Sequence, residues 1–334
     1  MPSATLRQRQ AKSAPHLGLP AENSGSKLTT GTTTDPHTYT AQNLASALKV
    51  TAHRLLHFEE LPAWMQDNMY ILTGYRPPLQ SYKQCFRSLF YLHNETGNVY
   101  SHLLGALLFL GFGGLAAGFM VQHQSTVQWL DVMVMFIFIA GAVACLSLST
   151  TFHLVSCHSH SVSRQWNKCD YLGIVFLIVG SFFPPIYYAF YCHPNWLIFY
   201  LTSTSALGGM TAYFSVSKRF EGGKYRWART MLFIGMGLSG AVPLMHGLTI
   251  YGLEVALKSF SLAWILGMAL FYIVGALIYA GRVPERWSPG RFDFWLHSHQ
   301  IFHLFVVAAA ILHYIGVVKA FSYHHTAGPL CQLP

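Results

Sequence analysis

The sequence predicts an all-α integral membrane protein with seven transmembrane helices, a cytosolic N-terminus and an extracellular or lumenal C-terminus. Three observations predict this class. The chain is 52% hydrophobic and only 10% charged, whereas soluble domains carry about 25% charged residues. Seven apolar segments are each long enough to cross a bilayer, which takes about 20 residues. The basic residues are concentrated in alternate connections between these segments.

The chain before the first apolar segment divides into two parts. Residues 1–40 are rich in Ser, Thr, Gln and Pro, a composition that predicts a disordered cytosolic tail. For residues 41–97 we expect cytosolic amphipathic helices, because apolar residues recur at helical spacing over 41–58 and again over 81–93.

A seven-helix domain is predicted over residues 98–318, followed by a short external tail over 319–334. The apolar segments that define the spans cover 98–121, 127–153, 168–192, 195–216, 229–252, 260–282 and 294–318.

The Lys and Arg residues orient this domain in the membrane. When the seven spans are threaded in order, 19 of the 21 basic residues fall on the side of the N-terminus, and only Lys258 and Lys319 fall opposite. The N-terminus is therefore predicted to be cytosolic, the reverse of G-protein-coupled receptors. The net charge of +9 does not indicate a nucleic-acid partner, because the basic residues flank apolar spans instead of covering a face.

The six cysteines contain no CxxC motif and no dense framework. We expect most of them to be free, small apolar residues. Cys192 and Cys331 both fall on the predicted outer side and could pair.

Histidines in the seventh apolar segment are the first candidate site. His299 and His303 are four residues apart, so on a helix their side chains lie one turn apart on the same face. That spacing allows two imidazoles to bind one metal ion. A lone histidine in an apolar helix is more often a hydrogen-bonded core residue, so the interpretation depends on which other polar side chains reach the same depth.

Two further spans bring polar residues to this depth, in the cytosolic half of the membrane. His153 lies near the inner end of the second span with Ser149 one turn before it, and Asp170 lies near the inner start of the third. Ionisable residues inside a membrane are costly and usually functional. Three neutral imidazoles suit Zn²⁺ and leave its fourth position open. A structural zinc that joins the helices is the alternative, and His102, at the same depth in the first span, is the rival ligand.

Several motifs in the chain resemble those of the progestin and adiponectin receptor family, also called the haemolysin III superfamily. The similarity is greatest to the adiponectin-receptor branch, including its fungal osmotin-receptor-like members, and it covers residues 61–318. The segments that carry it are LPAW at 61–64, GYRPP at 74–78, HNETGN at 93–98, STTFH at 149–153, DY at 170–171, VPER at 283–286 and SHQIFH at 298–303.

The resemblance implies Zn²⁺ on His153, His299 and His303, with Asp170 and Ser149 as catalytic residues. It also implies lipid chemistry, because members of the family resemble ceramidases, which cleave the amide of ceramide. A membrane lipid, either ceramide or a free fatty acid, would then occupy a cavity in the helix bundle.

The expected protein is thus a receptor-like, multi-pass protein of the plasma membrane or an endomembrane that hydrolyses ceramide-type amides and is linked to lipid metabolism. Two alternatives stay open. One is a signalling receptor with purely structural zinc, which responds to an extracellular protein or a lipid. The other is a regulator of zinc or sterol homeostasis without hydrolase activity. The sequence predicts no nucleic-acid partner.

Overall fold

The structure, a computed structural model, describes residues 54–123, 125–220, 222–326 and residue 331. The described ranges contain nine α-helices and no β-strand, apart from one isolated bridge between Leu56 and Tyr75. The helices are α1 Tyr82–Arg87, α2 Thr96–Gln122, α3 Trp129–Val155, α4 His160–Ala189, α5 Pro194–Val216, α6 Arg226–Leu238, α7 Ala241–Ser259, α8 Leu262–Gly281 and α9 Ser298–Thr326.

Six helical segments are long and apolar enough to cross a membrane: α2, α3, α4, α8, α9 and the segment Gly223–Ser259, which contains α6 and α7. α5 is 23 residues long, which also suffices to span a bilayer. Its polar residues, such as Thr204 and Thr211, lower its hydropathy, so it is not among the six. α5 lies between α4 and α6 in the chain and packs against both, and it accounts for the fourth predicted span.

Three helix boundaries differ from those predicted by hydropathy. α4 begins at His160, eight residues before the predicted start of the third span, because the Ser159 side chain accepts a hydrogen bond from the Val162 N–H and caps the helix. α9 continues through residues 319–326, which were predicted to be tail. The fifth span is divided at Gly240, where an added Cβ would lie 2.7 Å from the Phe182 ring. Hydropathy therefore predicts which residues lie in the membrane, but it does not predict where each helix begins and ends.

The segment before α2 is less helical than predicted. The predicted tail over 1–40 and most of the predicted helix over 41–58 lie outside the described residues, and residues 54–57 are not helical. The helix predicted over 81–93 is shorter than expected. It consists of α1, capped by the Ser81 side chain, followed by a single 3₁₀ turn at Ser88–Phe90.

Glycines allow the close approach of α3 and α4, which share the most extensive helix interface in the described part of the chain. A Cβ added at Gly141 would lie 2.7 Å from the Phe176 carbonyl oxygen, and one added at Gly173 would lie 2.9 Å from the Cys145 Cα. Small residues at such contacts let helix backbones approach closely in a membrane. This approach brings the C-terminal end of α3 next to the first three turns of α4.

Substituting alanine for Gly173 is expected to destabilise the bundle by about 1–3 kcal/mol, because the new methyl group would force the two backbones apart. Alanine at Gly111 on α2 has no neighbouring atom within 4 Å and serves as the matched control. It should leave stability unchanged or raise it by up to about 1 kcal/mol through helix propensity. Unfolding of both variants in detergent micelles measures the difference. Equal stability of the two variants would contradict the close-packing interpretation.

A disulfide joins Cys192 to Cys331, so the pairing that the sequence left open is present. The bond connects the α4–α5 turn to the chain beyond α9. The other four cysteines are free, as expected. Two of them, Cys85 on α1 and Cys157 just after α3, lie with their sulfur atoms 3.8 Å apart in a small apolar cluster. This cluster packs the N-terminal segment against the C-terminal end of α3.

Candidate metal centre

Three histidine side chains converge at the predicted cytosolic end of the bundle. His153 comes from the last turn of α3, and His299 and His303 come from the first two turns of α9. One potential ligand atom from each ring lies within 4.8 Å of the others. A tetrahedral zinc with Zn–N bonds of about 2.0–2.1 Å needs donor separations of about 3.4 Å. Small side-chain movements would therefore bring all three nitrogens to one ion.

Glu95, the residue before α2, orients the first of these rings. Its Oε2 lies 2.7 Å from His153 Nδ1 and accepts a hydrogen bond of 2.6 Å from the Asn98 side chain. Burial opposes ionisation of the Glu95 carboxyl, but His153 and the Asn98 donor lower its pKa well below the usual value. The carboxylate thus fixes the Nδ1 proton of His153. The His153 Nε2 is buried and has no hydrogen-bond partner among the described residues.

His303 is oriented in the same way by α2. Its Nδ1 lies 3.1 Å from the Asn98 carbonyl oxygen and 3.2 Å from the Ser101 hydroxyl. Donation from Nδ1 to the carbonyl leaves the Nε2 lone pair free for a metal. Two of the three rings therefore use one nitrogen for the protein and keep the other for a ligand, which is the usual arrangement of metal-binding histidines. The donor set fits a divalent metal that prefers imidazole.

The segments before α2 and before α9 hold the backbone around these ligands. The buried guanidinium of Arg76 donates hydrogen bonds of 2.6 Å to the His153 carbonyl and 2.8 Å to the Leu154 carbonyl, which stabilises the end of α3. The fully buried Glu285 accepts a 2.7 Å bond from the Ser298 N–H at the start of α9. Each ligand-bearing helix end is therefore fixed by a buried ionisable side chain.

Asp170 and Ser149 lie beside the three histidines. Asp170 is ten residues into α4 and not in its first turn as predicted, because α4 begins earlier than hydropathy indicates. Its buried carboxyl is within electrostatic range of His153 and Ser149. The Ser149 hydroxyl lies next to this carboxyl and is its nearest hydrogen-bonding group. All five predicted site residues are thus in one layer.

A cavity of about 180 Å³ opens from this layer into the bundle. Its lining comes from α2, α3, α4, α6, α8 and α9, and it follows α8 from Tyr279 to Met268, which corresponds to about 16 Å along the helix axis. The deep part is mainly apolar. Two basic residues, Arg226 and Arg229, line the end near the histidines. The shape and polarity suit an amphiphile whose polar group lies at the metal centre.

The family model described as Haemolysin-III related matches residues 90–314. The chain belongs to this family. Among its relatives, the "Adiponectin receptor protein" of Drosophila melanogaster is 43% identical over 270 residues, which cover 81% of the chain. The "Progestin and adipoQ receptor-like protein 1" of Caenorhabditis elegans is 43% identical over 264 residues, or 79% of the chain.

A yeast relative matches over nearly its whole length. The "ADIPOR-like receptor IZH2" of Saccharomyces cerevisiae is 39% identical over 282 residues, which cover 84% of the present chain and 88% of the yeast protein. By contrast, this haemolysin-III-related chain spans about 60% of the length of the fly and worm relatives. Together with the membrane-spanning helices, the family match identifies an integral, multi-pass membrane protein.

The other histidines in the described part of this haemolysin-III-related protein lie outside the donor group. His102, the predicted rival ligand, has the right depth but stacks on the face of His303. His246 is hydrogen-bonded to the Tyr200 hydroxyl at 3.0 Å. His297 is buried and contacts the Asn94 carbonyl.

Glu95 is the functional residue that the sequence analysis missed. It lies in the HNETGN segment at 93–98, which was used only as a family motif. Its contact with His153 joins residues 58 positions apart, so it depends on how α2 packs on α3. A carboxylate at the same predicted depth as the histidines was the available signal.

Replacing Glu95 with glutamine is expected to weaken metal binding by about 10–100-fold, the usual cost of losing an outer-shell carboxylate. Glutamine keeps the size of the side chain but removes the charge that fixes the His153 tautomer. The same change at Glu59, an exposed residue of the N-terminal segment, is the control and should leave affinity unchanged. Competition with a metal-chelating dye measures both. Wild-type affinity in Glu95→Gln would mean that this carboxylate does not support the site.

Proposed function

We propose that this protein is an adiponectin-receptor-like membrane protein with a zinc-dependent hydrolase activity toward ceramide-type lipid amides, linked to lipid metabolism. The observation that carries the proposal is the convergence of three imidazoles, with donor atoms within 4.8 Å, at the polar end of an apolar intramembrane cavity. The cavity supports this substrate class, because a long-chain amide has a polar centre and apolar arms.

His153, His299 and His303 would hold the zinc, and Glu95 would keep His153 in the required tautomer. A zinc ion bound there supplies Lewis acidity, which polarises an amide carbonyl and lowers the pKa of a water molecule. The chain contributes neutral nitrogen donors from two rigid helices, which keep the site at fixed geometry.

Asp170 is assigned the proton transfers. Its carboxylate accepts a proton from the attacking water, whose oxygen forms the new bond to the acyl carbon, and passes that proton to the leaving nitrogen as the C–N bond breaks. The products are a fatty acid and a long-chain amine. The Ser149 hydroxyl, which lies beside Asp170, would donate a hydrogen bond to the reacting amide. The apolar lining excludes bulk water around these groups.

The basic residues at the same end favour the acid product. Arg226 and Arg229 line the cavity beside the histidine layer, and a guanidinium stabilises a carboxylate through charge and hydrogen bonding. Arg229 already donates to the backbone carbonyls of Phe220 and Gly222 at 2.7 and 3.0 Å, so it is fixed in place. A fatty-acid carboxylate would therefore be stabilised next to the site where it forms.

Removal of the metal tests the proposed activity. The purified protein is expected to release fatty acid from a ceramide in detergent micelles, to lose this activity after treatment with a strong chelator, and to regain it when zinc is restored. Chelator added together with excess zinc controls for damage by the reagent. Full turnover by a preparation shown to be metal-free would exclude a zinc-dependent reaction.

A second candidate function is a signalling receptor in which zinc is only structural. Its support is that the three ligands join α3 to α9, two helices that share few other contacts, so a metal there would clamp them together. Several relatives also have receptor in their names. An external protein or a lipid would then shift the helices without hydrolysis. Signalling that persists in a variant with zinc but without turnover would favour this candidate.

A further inference from the structure

His102 is a buried imidazole that the proposed chemistry does not use. It lies on α2, is 3% exposed and lines the cavity beside the metal centre. Neither ring nitrogen has a hydrogen-bond partner among the described residues. A neutral imidazole carries one donor and one acceptor, and burying either without a partner is unfavourable. The His303 backbone lies close to the ring but makes no hydrogen bond of normal geometry with it, so the ring lacks at least one interaction at a place where a ligand can supply it.

Stacking on His303 fixes the orientation of the His102 ring but supplies no hydrogen-bond partner for its nitrogens. The two ring centroids are 3.5 Å apart, and the planes differ by 7°. The nitrogen donor and acceptor directions lie in the ring plane, at right angles to the stacking contact. The stack thus holds the edge of the ring in a fixed orientation and leaves that edge free for hydrogen bonding.

Tyr272 adds a second unused polar group to the same cavity. Its hydroxyl on α8 is buried, lines the cavity and has no hydrogen-bond partner among the described residues. Most neighbouring lining residues in this deeper part, such as Met268, Ile273 and Val306, are apolar. Polar atoms without partners on two different helices, next to these apolar lining residues, indicate a site for a polar group of the bound molecule.

Depth along the helices indicates which part of a lipid this site would meet. His102 stacks on His303 and lies one helical turn beyond Asn98, whose carbonyl contacts His303, so it lies at the side of the metal layer that faces the middle of the membrane. A lipid with its amide at the metal centre would have the first carbons of its chain there. A hydroxyl group both donates and accepts a hydrogen bond, so it complements either tautomer of an imidazole and also a tyrosine hydroxyl.

We propose that His102 and Tyr272 form a subsite that binds a hydroxyl group on the lipid chain near the amide. The inference rests on the proposed function, because that function brings a long-chain amide into the cavity. The subsite makes the cavity selective for hydroxylated long-chain lipids over the corresponding deoxy lipids. A site with buried polar groups discriminates against a ligand that leaves them unpaired.

Binding of a long-chain amine tests the subsite without requiring turnover. The zinc-loaded, full-length protein in detergent is titrated with a hydroxylated sphingoid base and with the corresponding deoxy base. The deoxy base lacks the hydroxyl on the chain carbon that follows the amine-bearing carbon. The wild type is expected to bind the hydroxylated base at least about 10-fold more tightly, consistent with the hydrogen bonds gained. In His102→Phe, which keeps a stacking ring, and in Tyr272→Phe, the preference should fall several-fold while zinc content stays at the wild-type level.

Tyr251→Phe is the matched control, because the Tyr251 hydroxyl is likewise buried without a partner but lies outside the cavity. It should keep the full preference. Equal binding of the two bases by the wild type would mean that water satisfies the site, and would overturn the proposal. Loss of zinc in His102→Phe would make His102 a support of the metal centre instead. Absence of ceramide hydrolysis, with the hydroxyl preference retained, would refute the proposed activity and leave the subsite standing.

Discussion

Asp170→Asn is expected to keep the bound zinc and to lower ceramide turnover by at least about 100-fold, the lower range of general acid–base contributions. Asparagine has the size and polarity of the native side chain but cannot take up and release a proton in this role. Asp170 is buried and lies beside His153 and Ser149. No other carboxylate is found among the described residues that line the cavity, so none can replace it. The measurement is fatty-acid release together with metal analysis of the same preparation.

Asp67→Asn is the control for this variant. Asp67 is an exposed carboxylate of the N-terminal segment that pairs with Arg282 at 3.3 Å and does not line the cavity. Its loss should leave turnover unchanged. Unchanged turnover in Asp170→Asn would eliminate Asp170 as the proton carrier. Loss of both zinc and turnover would show that Asp170 supports the metal instead of the proton transfer.

His299→Ala is expected to abolish stable zinc binding. His299, on α9, supplies one of the three imidazoles of the site, and the two ligands that remain would bind zinc far more weakly. Loss of an outer-shell partner alone costs about 10–100-fold in affinity, and loss of a ligand should exceed this. Zinc retained after a chelator wash, measured by elemental analysis, gives the result. Alanine at His160, an exposed histidine at the start of α4, should retain zinc like the wild type.

The stability of His299→Ala separates the two proposed functions. If zinc serves only chemistry, the variant should unfold close to the wild-type temperature and lose turnover. If zinc clamps α3 to α9, the variant should unfold at a clearly lower temperature, and the wild type should do so after chelation. Full zinc occupancy in His299→Ala would contradict the assignment of this ligand.

Much of the metal centre was predictable from sequence because helix geometry and membrane depth are both readable from it. The spacing of His299 and His303 fixes their shared face, and depth in the membrane selects His153 and Asp170 as companions. Where two helices carry such residues at the same depth, the side chains meet only if each helix has the correct rotation about its own axis. α3 has the rotation that turns His153 toward α9, and the structure brings the three rings together.

His102 and Glu95 show where sequence reasoning was insufficient. His102 has the depth of a ligand, but its ring packs on the face of His303 and does not join the group of three donor atoms, and only helix packing determines that difference. Glu95 lies just before α2, and its role depends on the approach of α2 to α3. The start of α4 was missed for another reason: residues 160–167 are too polar to read as membrane, although they continue the helix.

X-ray absorption at the zinc edge tests the shared metal centre most directly. Purified wild-type protein should give a first coordination shell of nitrogen and oxygen scatterers only, at about 2.0–2.1 Å, with the outer-shell pattern of three imidazoles. Sulfur scatterers at about 2.3 Å would assign the metal to cysteines. A fully active protein that contains no zinc would contradict the account as a whole.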